Sequence, residues 1–105
     1  MAVAKRIANK DARDYVRRGE PFQGSNLFGE YDNWDEDAPY VVYSYGHHFP
    51  MFIYLGNSWY ENSDKYSVST SKQQSQSHPM METVKLNTED MTKLLMKNTQ
   101  ERINQ

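Results

Sequence analysis

The sequence predicts an α+β domain, an antiparallel sheet of about four or five strands with the N- and C-terminal helices packed on one face. Three observations carry this expectation. Residues 40–55 hold two β-branched and aromatic runs, Tyr40-Val41-Val42-Tyr43-Ser44-Tyr45 and Met51-Phe52-Ile53-Tyr54-Leu55, around a connection containing Gly46 and Pro50. Shorter strand-like segments flank this hairpin. Apolar residues at helical spacing occupy both ends of the chain. At 105 residues the chain has room for one domain, residues 1–105, and little more.

The first element reads as a helix from Ala4 or Asn9 to Arg18. Ala8, Ala12, Tyr15 and Val16 make a modest apolar stripe, Asp11 sits early, and Arg17 and Arg18 precede Gly19. That order suits the helix dipole and a left-handed glycine C-cap. Glu20-Pro21 ends the helix, Pro21 to Ser25 reads as loop, and Asn26 to Tyr31 as a short strand. An acidic turn follows at residues 32–39.

In the hairpin, Val41, Tyr43 and Tyr45 share one face, while Tyr40, Val42 and Ser44 share the other. Both faces are partly apolar, as in a central strand covered by helices on one side and by a loop or partner on the other. Gly56-Asn57-Ser58 makes a tight turn into Trp59-Tyr60-Glu61, a third meander strand. Tyr66 to Ser71 alternates cleanly and reads as a half-buried strand. Lys72 to His78 reads as a loop closed by Pro79. A last helix opens at Asn87-Thr88-Glu89-Asp90 with Thr88 as N-cap, and Met91, Leu94, Leu95 and Asn98 recur along it, extended by Met96 and Ile103.

Composition narrows the function classes. Aromatics at 13% compensate for a hydrophobic share of only 37%, because each buried ring removes roughly 150–250 Å² from water. The absence of cysteine excludes disulfides and thiolate metal sites and fits a reducing compartment. No stretch nears the ~20 apolar residues of a membrane span, and Met1 to Arg6 lacks the apolar run of a signal peptide. The expectation is a soluble cytoplasmic protein with no membrane contact.

Charge is unevenly spread. Lys5, Arg6, Lys10, Arg13, Arg17 and Arg18 outweigh Asp11 and Asp14 in the first segment. Residues 19–64 carry Glu20, Glu30, Asp32, Asp35, Glu36, Asp37, Glu61 and Asp64 with no Lys or Arg. The remainder is mildly basic. A polarised surface follows if the fold keeps these segments apart.

Few residues suggest chemistry. Asp32, Asp35, Glu36 and Asp37 could offer oxygen ligands, but their spacing is not that of a calcium loop, and a solvated turn is the simpler reading. Adjacent His47 and His48 point to opposite sides of an extended segment and cannot share an ion there. A general-base role for His47 beside Tyr43 or Tyr45 lacks a positioned nucleophile, because the serines sit on a strand rather than a sharp elbow. The five dispersed glycines form no phosphate loop. The expectation is a non-enzyme with no catalytic residue, metal or cofactor.

From Tyr43 onward the chain carries Tyr43-Ser44-Tyr45-Gly46-x-His48-x-Pro50, then Trp59, then Lys65-Tyr66-Ser67-x-Ser69-Thr70-Ser71-Lys72-x-x-Ser75-Gln76 and Pro79. With Ala-Arg-x-Tyr-Val at Ala12 to Val16, this string resembles a family of small uncharacterised proteins encoded by bacteriophages, plasmids and other mobile elements. The resemblance implies an accessory protein and transfers no catalytic residue. The main expectation is binding to a host or viral protein through Trp34, Asp35, Glu36, Asp37, Tyr45, His48 and Trp59, since Tyr and Trp anchor interfaces well. The alternative is nucleic-acid binding through Arg13, Arg17, Lys65, Ser69, Ser71 and Lys72, with Tyr45 and Trp59 stacking on bases. A homodimer through an open sheet edge is a further option.

Overall fold

The central hairpin forms as its sequence predicts and sets the rest of the fold. The computed structural model describes residues 5–31, 39–47, 49–64 and 74–103, with side chains as far as Asn98. Among these residues, seven strands form one sheet in chain order. They are β1 (Lys5–Arg6), β2 (Phe22–Gln23), β3 (Leu27–Tyr31), β4 (Tyr40–Ser44), β5 (Pro50–Leu55), β6 (Ser58–Asn62) and β7 (Thr83–Leu86). A short 3-10 turn at Asn9–Asp11 leads into α1 (Ala12–Arg18), residues 74–77 are helical (α2), and α3 spans Thr88–Ile103.

This corrects the expected antiparallel sheet of about four or five strands. Strands β2 to β6 do pair antiparallel, but β1 joins β2 and β6 joins β7 in parallel. Each parallel pair encloses a crossover, through α1 in one case and through the stretch containing α2 in the other. The added strands are two to four residues long, too short to show a period of two.

The helices also occupy both faces of the sheet, not one. Across β4 and β5, Val41 faces Ile53 and Val42 faces Phe52, so each strand sends side chains both ways. Ala12 and Val16 of α1 pack with Phe22, Leu27, Tyr40, Val42 and Phe52. Met91, Leu94 and Leu95 of α3 pack with Val41, Tyr43 and Ile53 on the opposite side. All five residues of β4 are buried. A single helix layer would leave Val41, Tyr43 and Ile53 in water, forfeiting roughly 1.5–3 kcal/mol for each such side chain. The register slips between Val42 and Tyr43, where Pro50 is the next partner; the extra residue, Met51, joins the cluster that holds Phe52.

Local chemistry explains the helix ends. Gly19 takes the left-handed conformation at φ 66°, its N–H reaches the Val16 carbonyl at 3.0 Å, and Glu20 N–H reaches that of Tyr15 at 2.9 Å. This is a Schellman stop, at the glycine the sequence marks. The N-cap of α3 is Asn87, not Thr88: Asn87 Oδ1 accepts the Asp90 N–H at 2.8 Å. Residues 74–77 are helical where a loop was expected, with Gln74 and Ser77 buried. Met96 is 66% exposed and does not extend the buried stripe. The expected strand at Tyr66 to Ser71 lies outside the described residues.

Asp64 secures the start of α3 by accepting the Thr88 N–H at 2.8 Å. Hydrogen bonds from the Thr88 backbone, then from its hydroxyl, hold the Asp64 carboxyl below the usual aspartate range against a smaller desolvation effect. A carboxyl depressed in the folded state stabilises above its unfolded pKa and loses that contribution as pH falls through its folded value. Stability measured from pH 7 downward should therefore fall less steeply for Asp64→Asn than for the wild type. Parallel acid limbs would remove Asp64 from this account.

Candidate functional site

One open groove lies where α1 ends over the sheet. Tyr31 and Tyr40 face each other across β3 and β4, with ring centroids 5.4 Å apart and edge to face. Their hydroxyls donate to the last carbonyls of the α1 turn, Tyr31 to Gly19 and Tyr40 to Glu20, each at 2.7 Å. Burial first, then the neighbouring Tyr31 and Glu20, push the Tyr40 phenol far above its ordinary range, which keeps it a proton donor at any working pH. Tyr40→Phe should cost about 1–3 kcal/mol, since it leaves the Glu20 carbonyl without its donor. Denaturant melts of the two proteins check this; equal midpoints would count against it.

The floor continues onto β5 and β6. Gly56 and Asn57 sit at φ 60° and 65°, the backbone of a two-residue hairpin turn matched to strand twist. That turn sets Leu55 opposite Ser58 and Tyr54 opposite Trp59, with the two rings 5.0 Å apart. Trp59 also meets Tyr40 edge-on at 6.3 Å. The resulting groove has a volume of about 580 Å³ and includes Arg17, Arg18, Tyr31, Tyr40, Tyr54, Trp59 and Met81 in its lining. Its size is that of a typical ligand or side-chain cleft.

Its charge is one-sided. Among the described lining residues the only ionised groups are Arg17 and Arg18. Arg18 is engaged, bonding Glu20 at 3.1 Å and lying over the Tyr15 ring at 5.0 Å. Arg17 is exposed and meets no partner among the described residues.

The residues singled out by sequence do not gather at one place. Trp59 and Arg17 both line the groove. Tyr45 lies past the other end of β4, about 17 Å along the strand from Tyr40. It is 60% exposed, in a tight turn at φ 66° closed by Gly46 N–H to the Ser44 carbonyl at 2.8 Å. Arg13 gives its guanidinium to the Ser75 carbonyl at 2.7 Å and ties α1 to α2. Trp34, Asp35, Glu36, Asp37, His48, Lys65, Ser69, Ser71 and Lys72 lie outside the described residues. The sequence reading missed Tyr31 and Tyr40 as groove residues; Tyr54 was among the sheet aromatics it considered for outward contact, without its pairing to Trp59. The Gly56-Asn57 turn was the available signal, because its register alone puts Tyr54 beside Trp59.

A polar cluster beneath α2 was also missed. Glu61 accepts from Thr83 Oγ1 at 2.7 Å and Gln74 Nε2 at 3.2 Å, and it pairs with His78 Nε2 at 3.3 Å and Lys85 at 3.9 Å. The Met80 N–H donates to His78 Nδ1 at 2.9 Å, so the neutral ring carries its proton on Nε2, facing Glu61. Both ring nitrogens of His78 are thus engaged within the cluster. The cluster pins α2 and β7 to β6.

His47 sits on the other face, bonded to Glu30 and packed against Tyr43 and Phe28. No group of three or more His, Asp or Glu side chains able to hold a metal occurs among the described residues. No described helix is long and apolar enough to cross a membrane. No protein-family model, curated protein or solved structure matches the chain.

Proposed function

We propose that this chain is a non-enzymatic phage or mobile-element accessory protein that binds and modulates a host or viral protein, using the aromatic groove as its contact surface. The observation that carries the reading is the groove's make-up. Trp59, Tyr54 and Tyr40 with Arg17 at the lip are the residue types that concentrate binding energy at protein interfaces. The motif resemblance supports the accessory role.

The nucleic-acid reading draws less support from the structure. Base-stacking platforms present several exposed rings on an open sheet face beside a basic track. Here helices pack on both faces, and of the described aromatics on or beside the sheet only Tyr45 and Tyr54 are exposed. Arg13 is committed to Ser75.

The test is an affinity pull-down from host or infected cells with nuclease added, comparing wild type with Arg17→Ala and Tyr54→Ala. A specific protein should survive nuclease and be lost with either variant, each weakening binding about tenfold or more, or ~1.4 kcal/mol. Capture that vanishes with nuclease, together with oligonucleotide binding that falls steeply with salt, would shift the assignment to nucleic acid.

A further inference from the structure

We infer that the groove takes an acidic segment of its protein partner, one apolar or aromatic side chain seated against Trp59 and Tyr54 and a neighbouring carboxylate paired with Arg17. The inference rests on the protein-binding reading above and adds the chemistry of the partner. Charge carries it. The chain has a formal net charge of −2, and residues 19–64 hold no Lys or Arg. Yet the described lining of the groove contains two arginines and no carboxylate. The fold places these arginines there by bringing the C-terminal turn of the basic helix against the aromatic corner of the sheet.

The two arginines are not equivalent. Glu20 and the Tyr15 ring already occupy Arg18. Arg17 keeps its full set of donors for an incoming group, and a guanidinium matches a carboxylate in bidentate geometry. Among the other described lining residues, Gly56, Asn57 and the 59%-exposed Met81 carry no charge. Methionine there adapts to side chains of different shape. The floor provides the apolar contact, with Tyr54 38% exposed and Trp59 buried beneath it. One unpaired cation among the described lining residues, beside an aromatic floor, suits a single acid next to an apolar anchor. It does not suit a phosphate backbone, which calls for a row of cations.

The experiment is selection of random dodecapeptides displayed on an unrelated phage, against the full-length chain. Arg17→Glu serves as counter-target and Lys10→Glu, away from the groove, as control. Arg17 and Lys10 are both exposed, and circular dichroism verifies that the variants fold. Enriched peptides should place Asp or Glu within two positions of Phe, Tyr, Trp, Leu or Ile. They should lose at least tenfold affinity for Arg17→Glu, keep it for Lys10→Glu, and weaken as salt rises. Groove-dependent peptides that are basic, or indifferent to Arg17→Glu, would overturn the acidic-partner inference while leaving a protein-binding groove. No groove-dependent peptide, with labelled oligonucleotide bound through Arg17, would overturn both.

Discussion

Gly29→Ala should lower stability by about 3 kcal/mol, toward the upper end of what overpacking costs, and reduce the melting temperature by roughly 10–20 °C for a domain of this size. Gly29 lies in β3 opposite Val42 and is buried. A Cβ placed there would stand 2.5 Å from the Tyr40 hydroxyl oxygen and 2.6 Å from Phe22 Cε1. Neither neighbour moves freely. Tyr40 is anchored through Glu20, and Phe22 is fully buried within the cluster beneath α1. The added methyl therefore displaces a packed ring in a close-packed interior. Because Tyr40 forms part of the groove floor, partner binding should weaken well below the melting temperature as well. A double-mutant cycle with Tyr40→Phe isolates the cause. Removing the hydroxyl relieves one of the two closest contacts, so the double mutant should be more stable than the sum of single effects predicts. Strict additivity would place the damage elsewhere.

The parts of the fold that were readable follow from short-range chemistry. The hairpin, the Gly56-Asn57 turn and the Gly19 stop each depend on a few adjacent residues whose conformational preferences agree with the final structure. What the sequence concealed was set by distant pairing. The two-residue β1 and β2 have no periodicity to read, and their parallel pairing exists only after α1 has crossed over. The apolar residues on both faces of β4 did hint at cover on both sides, but they suggested a loop or partner for the second layer, where α3 in fact packs. In the C-terminal helix, Asn87 and Thr88 are both good caps. Thr88 lost because its N–H and hydroxyl bond Asp64 across 24 residues, a contact with no local signature. The groove divides along the same line. The partnership of Tyr54 with Trp59 is written in a turn, whereas the approach of Arg17 depends on where the helix lands.

Asn62→Leu should be comparably damaging, at about 3 kcal/mol, even though it adds apolar surface to a buried position. Asn62 is fully buried in β6. Its amide nitrogen donates to the Pro50 carbonyl at 2.8 Å and to Thr88 Oγ1 at 2.9 Å, while Oδ1 accepts the Asp64 N–H at 2.8 Å. One side chain thus joins the start of β5, the end of β6 and the first turn of α3. Leucine matches the size but none of these bonds, so the buried Pro50 carbonyl and half-buried groups of Asp64 and Thr88 lose a partner at once, and an unsatisfied buried group costs on the order of 1–3 kcal/mol. Asn62→Asp refines the argument. It keeps the acceptor for Asp64 but aims a carboxylate at the Pro50 carbonyl, so burial should raise the new carboxyl's pKa and favour its neutral form. A raised acid adds stability below its folded pKa and loses it as pH rises, so this variant should be less damaged at pH 4 than at pH 7, opposite in sign to the contribution of Asp64. Urea melts at both pH values, with slopes compared to confirm the same transition, read the effect directly. Equal losses for Asn62→Asp at the two pH values would mean that the site admits water, and that Asn62 is not the buried tie between the sheet and α3.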